Sequence, residues 1–556
     1  MPKHRITGRA AFLQLLINEG VTHLFGNPGT TELAIMEAVP QFPELTYVLG
    51  LQESSVLAMA DGFARASNRL AAVNLHCTPG LGHAMGALYS AKFSGSPLII
   101  TAGQYEIGYG LQEPLLYEPL VAIAQPLVKW SVEVTRIEDL PRIMRRAAKI
   151  AMTAPTGPVF ISLPGCILDD EAELDLGTPT RIAASNRPGD DTLLQLAKRL
   201  LAAKNPVIIA GRELAQRQAW AETTELAELL GAAVYPEPVP YNARFPAEHP
   251  ACMGDLSRNQ PKVRATLQRY DLLLCLGADL LRMSPSSPVD PLPEELPVLH
   301  ITEREWELGK NYSTELALRA DVLTTLQALL PMLRNLRTTD QAEQAKKRLR
   351  ELRSNNWSAQ RLLARSQAQA QATTIPIDPR FLMLSLVNAL PDNAIVVEEA
   401  LTATSALLSL LPMTDPHSFY GLASGGLGFA VPGAVGISLA QPTRPVVAVV
   451  GDGSAMYGIQ GLWSAAHLRL PICYVIVNNR SYRIIKERLL AFRKTDRFVA
   501  MDLRDPALDY VSLAHGMGLK ARRISDPTEL ASALREAIAS GEPNLLEVIV
   551  ADGFGA

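Results

Sequence analysis

Cysteine is scarce. The chain has 556 residues and five cysteines, Cys77, Cys166, Cys252, Cys275 and Cys473, with no pair at CxxC spacing. An odd set of isolated thiols argues against a disulfide framework and fits a reduced, cytoplasmic protein. Long apolar runs are missing as well. The longest, such as Pro445–Val450, are strand length, well short of the roughly 18 residues of a membrane span. The basic start at Lys3, Arg5 and Arg9 leads into a stretch broken by Gln14 and Asn18, so no secretory signal is expected. Neither sign of charge dominates: 52 basic and 56 acidic residues leave a net charge of −4. The basic excess of a nucleic-acid binder is therefore absent. There is no short-period repeat. What is present is packed-protein material, 48% hydrophobic and 19% charged, which excludes a mainly disordered chain. The length suggests about three or four domains.

Short apolar, β-branched runs alternate with helical patterns along the whole chain. Leu70–His76, Ser96–Gly103, Gly157–Pro164, Pro206–Gly211, Asp271–Gly277, Asn393–Glu398, Pro445–Gly451, Ile472–Asn479 and Asn544–Val550 are examples. Continuous apolar strands of this kind belong in parallel sheets covered by helices on both faces. The expected class is α/β, with doubly wound parallel sheets. Two segments break the alternation. Asp169–Asp191 is polar and carries Pro179, Pro188 and Gly189, the composition of a linker. Thr338–Thr374 reads as a solvated helix, followed by a second linker from Ile375 to Pro379. Three domains are expected, at about 1–170, 190–335 and 375–556. In the second, Pro206–Gly211 is followed by Arg212-Glu213 with a single glycine, so that turn is read as structural and no flavin is expected.

Chemistry concentrates in the third domain. The strand Pro445–Val450 runs into Gly451-Asp452-Gly453-Ser454, and Ile472–Val477 ends in Asn478-Asn479. Ligands in open α/β sheets sit beyond the carboxyl ends of strands, where both tips lie. Gly451 and Gly453 let backbone approach a ligand closely. Ser454 is expected to begin a helix whose N-terminus favours phosphate. Asp452 and Asn479 offer two oxygen ligands 27 positions apart. Mg2+ accepts such ligands together with phosphate oxygens, so the pattern asks for a diphosphate held through Mg2+. Elsewhere, Glu53 in Leu51-Gln52-Glu53 has three readings: a glutamate paired with a lysine, the first residue of a helix over Val56–Ala66, or a catalytic carboxyl. His76, at the end of a strand, is placed for proton transfer or for capping a loop.

The GDG and NN pair resembles the signature of thiamine diphosphate (ThDP)-dependent enzymes. Gly26-Asn27-Pro28-Gly29-Thr30, Leu51-Gln52-Glu53, Asn74-Leu75-His76, Ser96-Pro97-Leu98-Ile99 and Gly425-Gly426-Leu427-Gly428-Phe429 resemble their benzoylformate decarboxylase branch. The resemblance implies pyrimidine-binding, middle and diphosphate-binding domains, in that order, and ThDP and Mg2+ as cofactors. It makes Asp452, Asn479 and the Ser481 carbonyl the metal ligands. Gly453, Ser454 and Tyr482 match positions around the diphosphate, as do the backbones of Leu401 and Thr402. Leu427 matches the apolar prop that bends the cofactor, and Gly425 a carbonyl that accepts from its amino group. Glu53 becomes the carboxyl that shares a proton with the aminopyrimidine, and His76 an acid/base. Thr30 stands where a serine often touches the substrate carboxylate. His83 takes the place of an asparagine, and two readings stay open for it: a second acid/base or a capping group.

Two departures bear on activity. The branch uses a histidine from the middle domain, but Gly277–Ser284 has none; Met283 or Ser284 holds its place, and the nearest other histidine is His300. The stretch after Asn479 carries Arg480, Arg483, Lys486, Arg488, Arg493, Lys494 and Arg497 against only Glu487 and Asp496. It is either a solvated face or a loop that attracts an anionic substrate. The resemblance implies a ThDP- and Mg2+-dependent carbon–carbon lyase (decarboxylase) acting on a 2-keto acid, with carboligase activity. An acetolactate-synthase-type carboligase is the alternative enzyme, and a catalytically inactive ThDP-binding scaffold the alternative class. The expected partners are a small 2-keto acid or aldehyde and further copies of the chain, as a homodimer or homotetramer, with no nucleic acid and no membrane.

Overall fold

The apolar runs become strands. In the computed structural model, which describes residues 4–183, 185–284 and 287–554, the described pairs of the three large sheets are parallel. The first sheet has the order Thr46–Leu49, His23–Gly26, Ala71–Leu75, Leu98–Gln104, Val159–Pro164, Ser131–Glu133. The second runs Ala233–Pro236, Pro206–Ala210, Leu272–Leu276, Val298–Thr302, Leu316–Arg319. In the third, Ile395–Glu399, Val446–Gly451, Ile472–Asn478, Asn544–Ile549 and Lys520–Ile524 follow one another. The class is the α/β architecture expected.

The chain divides into two compact units. One comprises the residues up to Ala183, Val396–Thr402 and those from Leu422 on, with the first and third sheets; the other holds Ala184–Ile395 and Ala403–Gly421, with the second. Two expectations change. The supposed linker at Asp169–Asp191 begins with a strand, Glu171–Leu174, that pairs antiparallel with His4–Thr7. Its alternating pattern was hidden by charge: Glu171 and Glu173 face outward while Leu174 is buried. Thr338–Thr374 forms two helices, Thr339–Leu352 and Trp357–Gln369, the second capped by the Asn356 side chain.

Within the first unit the two sheets meet through two interior helices, Glu53–Ser67 and Ala430–Ala440. The second, AVPGAVGISLA, is apolar all round, as a fully buried helix must be. Small residues let the backbones touch. A Cβ at Gly62 would lie 2.3 Å from the Gly433 carbonyl oxygen, and one at Gly436 only 1.8 Å from that of Met59. Gly436→Val is therefore expected to destabilise the chain by at least about 1–3 kcal/mol, since the colliding atom is backbone and cannot rotate away. Gly82→Ala, on the helix Cys77–Ser94 with nothing within 4 Å of the new carbon, should be neutral or stabilising by a few tenths, up to about 1 kcal/mol. Equilibrium urea unfolding measures both.

Candidate active site

The first cluster lies at the strand ends of the first sheet. Gln52 caps the helix Glu53–Ser67, its amide oxygen accepting from the backbone N–H groups of Ser54 and Ser55 at 2.8 and 3.2 Å. Glu53 is thereby the first helical residue, and its carboxyl is buried. Its Oε1 accepts from Asn27 Nδ2 at 3.2 Å, and its Oε2 lies 3.0 Å from His83 Nδ1. Glu53 thus begins a helix, yet its partners are an amide and an imidazole, not a lysine. His83 lies within the helix Cys77–Ser94, with 60% of its side chain exposed. It pairs with the glutamate; it does not cap the helix.

His76 sits at the N-cap of that same helix. Its Nδ1 lies 2.9 Å from Glu32 Oε2 and 3.1 Å from Thr31 Oγ1. Glu32 is fully buried and also accepts from the backbone N–H groups of Gly29 at 2.9 Å and Gly103 at 3.1 Å, and from Thr31 Oγ1 at 2.7 Å. A carboxylate against Nδ1 favours the tautomer with the proton on that nitrogen and Nε2 as the unprotonated one. A Cβ at Gly29 would strike the imidazole at 2.3 Å, so the turn leaves room for the ring only as glycine. Thr30 is exposed beside Gln104 and Tyr105 in an open cavity of about 830 Å³. The hydroxyl that meets His76 belongs to its neighbour, Thr31.

The second cluster lies at the strand ends of the third sheet. Asp452, rather than Ser454, starts the helix after Val446–Gly451, and that helix is a single turn, Asp452–Ala455. A helix this short lends little dipole to a phosphate. Polar groups define the place more firmly. Asp452 is buried, Oδ1 accepts from Gly453 N at 2.9 Å, and Oδ2 has no hydrogen-bond partner among the described residues. Burial pushes its pKa up to about 6, against the pull of backbone N–H groups of Gly453, Arg480 and Ser481. The strand end and the Asn479–Ser481 loop therefore converge on one carboxylate. Ser454 Oγ is a second buried oxygen without a hydrogen-bond partner among the described residues. The Tyr482 ring packs on Gly453, where a Cβ would come within 2.6 Å of it.

Among the described residues no three His, Cys, Asp or Glu side chains gather as a metal centre. Asn479 Oδ1 here accepts from Ser481 N at 2.9 Å and lies 3.2 Å from Ser481 Oγ. Of the two side-chain ligands expected from the sequence, only the Asp452 carboxylate therefore offers an oxygen without a hydrogen-bond partner among the described residues. A carboxylate, an amide oxygen and a carbonyl would be a set suited to Mg2+ with phosphate and water oxygens. The orphaned Oδ2 is what such a cation would satisfy.

Leu401, in the left-handed conformation at φ 50°, and Thr402 follow the strand Ile395–Glu399. The adjacent Glu399 anchors the glycine-rich loop. Its two oxygens accept from Gly428 N at 2.7 Å and Ala430 N at 2.6 Å, and burial raises its pKa to about 7. Leu427 is held beside that anchor. Gly425 has φ 82°, with open space where a Cβ would stand. Leu427 and Gly428 line a cavity of about 190 Å³ together with Ser54, Asp61 and His83.

In the second unit, Met283 packs on the core of its sheet while Ser284 is exposed. His300 is fully buried, with Nε2 bonded to the Ala278 carbonyl at 3.1 Å and its pKa lowered by burial; it is not a replacement proton donor. The sheet's crevice is closed by the chain itself. A Cβ at Gly211 would lie 2.1 Å from the Gly277 oxygen, and Arg304 bonds Glu213 and Asp279 there.

Sequence reasoning missed Glu32 and Glu399. Glu32 follows the Asn-Pro-Gly turn closely, but its partners at Gly103 and His76 are brought near only by the sheet. Glu399 adjoins the strand end already noticed, and a buried acid there was the available sign.

Family models of the thiamine pyrophosphate enzymes match the chain three times: the N-terminal TPP binding domain at 6–116, the central domain at 193–329 and the C-terminal TPP binding domain at 402–548. A benzoylformate decarboxylase of Pseudomonas aeruginosa is 34% identical over 98% of both chains. The acetolactate synthase isozyme 3 large subunit of Escherichia coli is 26% identical, covering 97% of this chain and 94% of its own. The structure of a thiamine diphosphate-dependent 4-hydroxybenzoylformate decarboxylase of Rhodococcus jostii superposes with a TM-score of 0.87 at 32% identity, covering 98% and 99% of the two chains.

Glu32→Ala leaves His76 and two backbone N–H groups without their acceptor. Loss of one partner from such a buried set is expected to cost about 3–5 kcal/mol in urea unfolding. Glu32→Gln should fold and yet lose roughly 10²-fold in turnover, the lower end of what a positioned acid/base supplies.

Proposed function

The chain belongs to the thiamine pyrophosphate enzyme family, and from that premise we propose a lyase that removes the carboxylate of an aromatic 2-keto acid. The reading rests on one observation above all: the Glu53 carboxyl, buried and held by Asn27 and His83, at the position that motif resemblance gives to the proton-sharing glutamate. We assign the pyrimidine-binding part to 1–170, the middle part to 190–335 and the diphosphate-binding part to 375–556.

Bound ThDP supplies a carbon centre that takes up the electron pair left when the carboxylate departs. Asp452, Asn479 and the Ser481 carbonyl would hold Mg2+, and through it the diphosphate, with Gly453, Ser454 and Tyr482 around it. The backbones of Leu401, Thr402 and Gly425 would position the rest, with Leu427 as the prop. Glu53 would keep a proton in exchange with the aminopyrimidine, and His76 Nε2 would deliver or remove one at the substrate. Thr30, exposed beside Gln104 and Tyr105, would offer its hydroxyl to the substrate carboxylate, while the Thr31 hydroxyl stays on Glu32 and His76.

A second reading, carboligation to an aldehyde, is favoured by the middle unit. Ser284 cannot donate a proton as histidine does, Met283 is a partly buried thioether packed against the core, and His300 is buried. Final protonation should then be slow and addition to an aldehyde should compete.

Assembly is part of the proposal. Leu111 and Leu115, on the loop after Leu98–Gln104, are 94% and 82% exposed. Ile107 and Tyr109, at 49% and 40%, add to them, and several exposed apolar side chains on one loop suit a surface that another protein covers. We assign it to a second copy, giving a homodimer or a two-fold homotetramer in which Glu53 of one chain serves Asp452 of another. No described helix is long and apolar enough to cross a membrane, and we propose a cytoplasmic location.

Benzoylformate and a panel of aliphatic 2-keto acids, offered to cofactor-stripped protein with and without ThDP and Mg2+, test the function. Aldehyde or acyloin should form only when both cofactors are present; no turnover of any member would sink the proposal. Glu53→Gln should retain ThDP and slow turnover by about 10²–10⁴-fold. In sedimentation velocity the wild-type chain should run as a dimer or larger, and a fully active monomer would contradict the shared site.

A further inference from the structure

The basic segment after Asn479 is only partly a solvated face. Lys486 points inward, with 3% of its side chain exposed. Its Nζ lies 2.8 Å from Asp502 and 3.1 Å from Asp552, beneath the rings of Phe498 and Phe554, whose centroids are 5.3 and 5.8 Å away. Asp552 belongs to the C-terminal tail, just beyond the strand Asn544–Ile549. Its carboxylate is itself buried, at 8% side-chain exposure, and also takes Arg504 at 2.9 Å. Its other oxygen, Oδ1, accepts from Ser481 Oγ at 2.5 Å. Arg483 reaches the tail as well, donating to the Ala551 carbonyl at 3.1 Å.

One carboxylate therefore ties together the Ser481 loop, the helix Arg483–Arg493 and the Arg504 segment. The opposite side of the loop is held by backbone. Tyr482 N donates to Met501 O and Leu503 N donates to Arg480 O, each at 2.8 Å. Asp502 is 44% exposed, so the buried pair is Lys486 and Asp552; losing that contact would leave a buried charge without its counterpart.

We propose that Asp552 is a positioning residue for metal binding: by gripping Ser481 and balancing Lys486 and Arg504, it fixes the Ser481 carbonyl where a cation shared with Asp452 and Asn479 needs it. This rests on the reading of that loop as the Mg2+ and diphosphate site. Groups that orient a metal ligand from behind typically change metal affinity by 10–100-fold. The tail would thereby govern cofactor uptake without touching the cofactor.

Asp552→Asn keeps the shape and an acceptor for Ser481 but removes the charge facing Lys486 and Arg504. Titration calorimetry of ThDP into stripped protein at several Mg2+ concentrations should show the Mg2+ requirement raised by roughly 10–100-fold. Trypsin should cut faster between Arg488 and Arg497 in the cofactor-free protein, with far-UV circular dichroism unchanged. Ser481→Ala removes the hydroxyl from Asp552 Oδ1 and from its longer, 3.2 Å contact with Asn479 Oδ1, and keeps the carbonyl and the backbone N–H that holds Asn479. It should shift the Mg2+ requirement the same way, and it decides the question if Asp552→Asn does not fold. Wild-type Mg2+ dependence and wild-type digestion in Asp552→Asn, or in Ser481→Ala should it have to stand in, would overturn the proposal. Asp452→Ala separates the two levels. It should abolish Mg2+-dependent binding while leaving digestion unchanged, and if wild-type protein itself takes up no ThDP, the cofactor reading fails. Digestion of Asp552→Asn then judges the tail contact alone, and an unchanged pattern refutes it.

Discussion

Buried carboxylates that accept backbone N–H groups hold this molecule's working parts in place. A parallel sheet delivers all its loops to one edge, and their backbone donors must find acceptors once that edge is covered. Glu32 takes the N–H groups of Gly29 and Gly103. Glu399 takes those of Gly428 and Ala430. Glu398 takes that of Ala400, and Asp452 that of Gly453. Each acid thereby converts a loop that would otherwise sample many conformations into a fixed support. His76 and the Leu427 loop, to which we assign the chemistry, stand on those supports.

How far this was legible in the sequence depended on sequence distance. Strand positions could be read from local apolar runs, and the α/β class followed. The Asp452 and Asn479 pair was legible because each residue sits next to an obvious strand end. Glu53 was legible through a motif, but its partners were not: Asn27 is 26 positions away and His83 30. Glu32 and Asp552 were invisible, since their contacts to Gly103 and Ser481 each span 71 positions. The linker at Asp169–Asp191 was overextended because an edge strand rich in acids lacks the apolar run that marks an interior one.

Charge was legible only in part. Counted along the chain, the segment after Asn479 is a block of cations, and a block of cations belongs in water. Folded, Arg480, Arg488, Arg493, Lys494 and Arg497 are exposed as that reading expects, but Lys486 is interior and Arg483 serves a carbonyl. The acids that balance the block, Asp502 and Asp552, come from beyond it. A local count of charge therefore says little about a segment whose counter-ions arrive from the end of the chain.

The meeting of Gly62 with Gly433 has a consequence for synthesis. These residues are about 370 positions apart, so at translation rates of roughly 5–20 residues per second the helix Glu53–Ser67 waits some twenty to seventy seconds for its mate. Through that interval the groove between its side chains, shaped to admit another backbone, stands open on the nascent chain. The unit around it is the last part of the protein able to close, while the intervening one, emitted almost continuously, can consolidate first. Production of this protein in a host with few chaperones should suffer at that stage, and lowering the growth temperature or slowing initiation should improve the yield of folded chain more than any change at its catalytic groups.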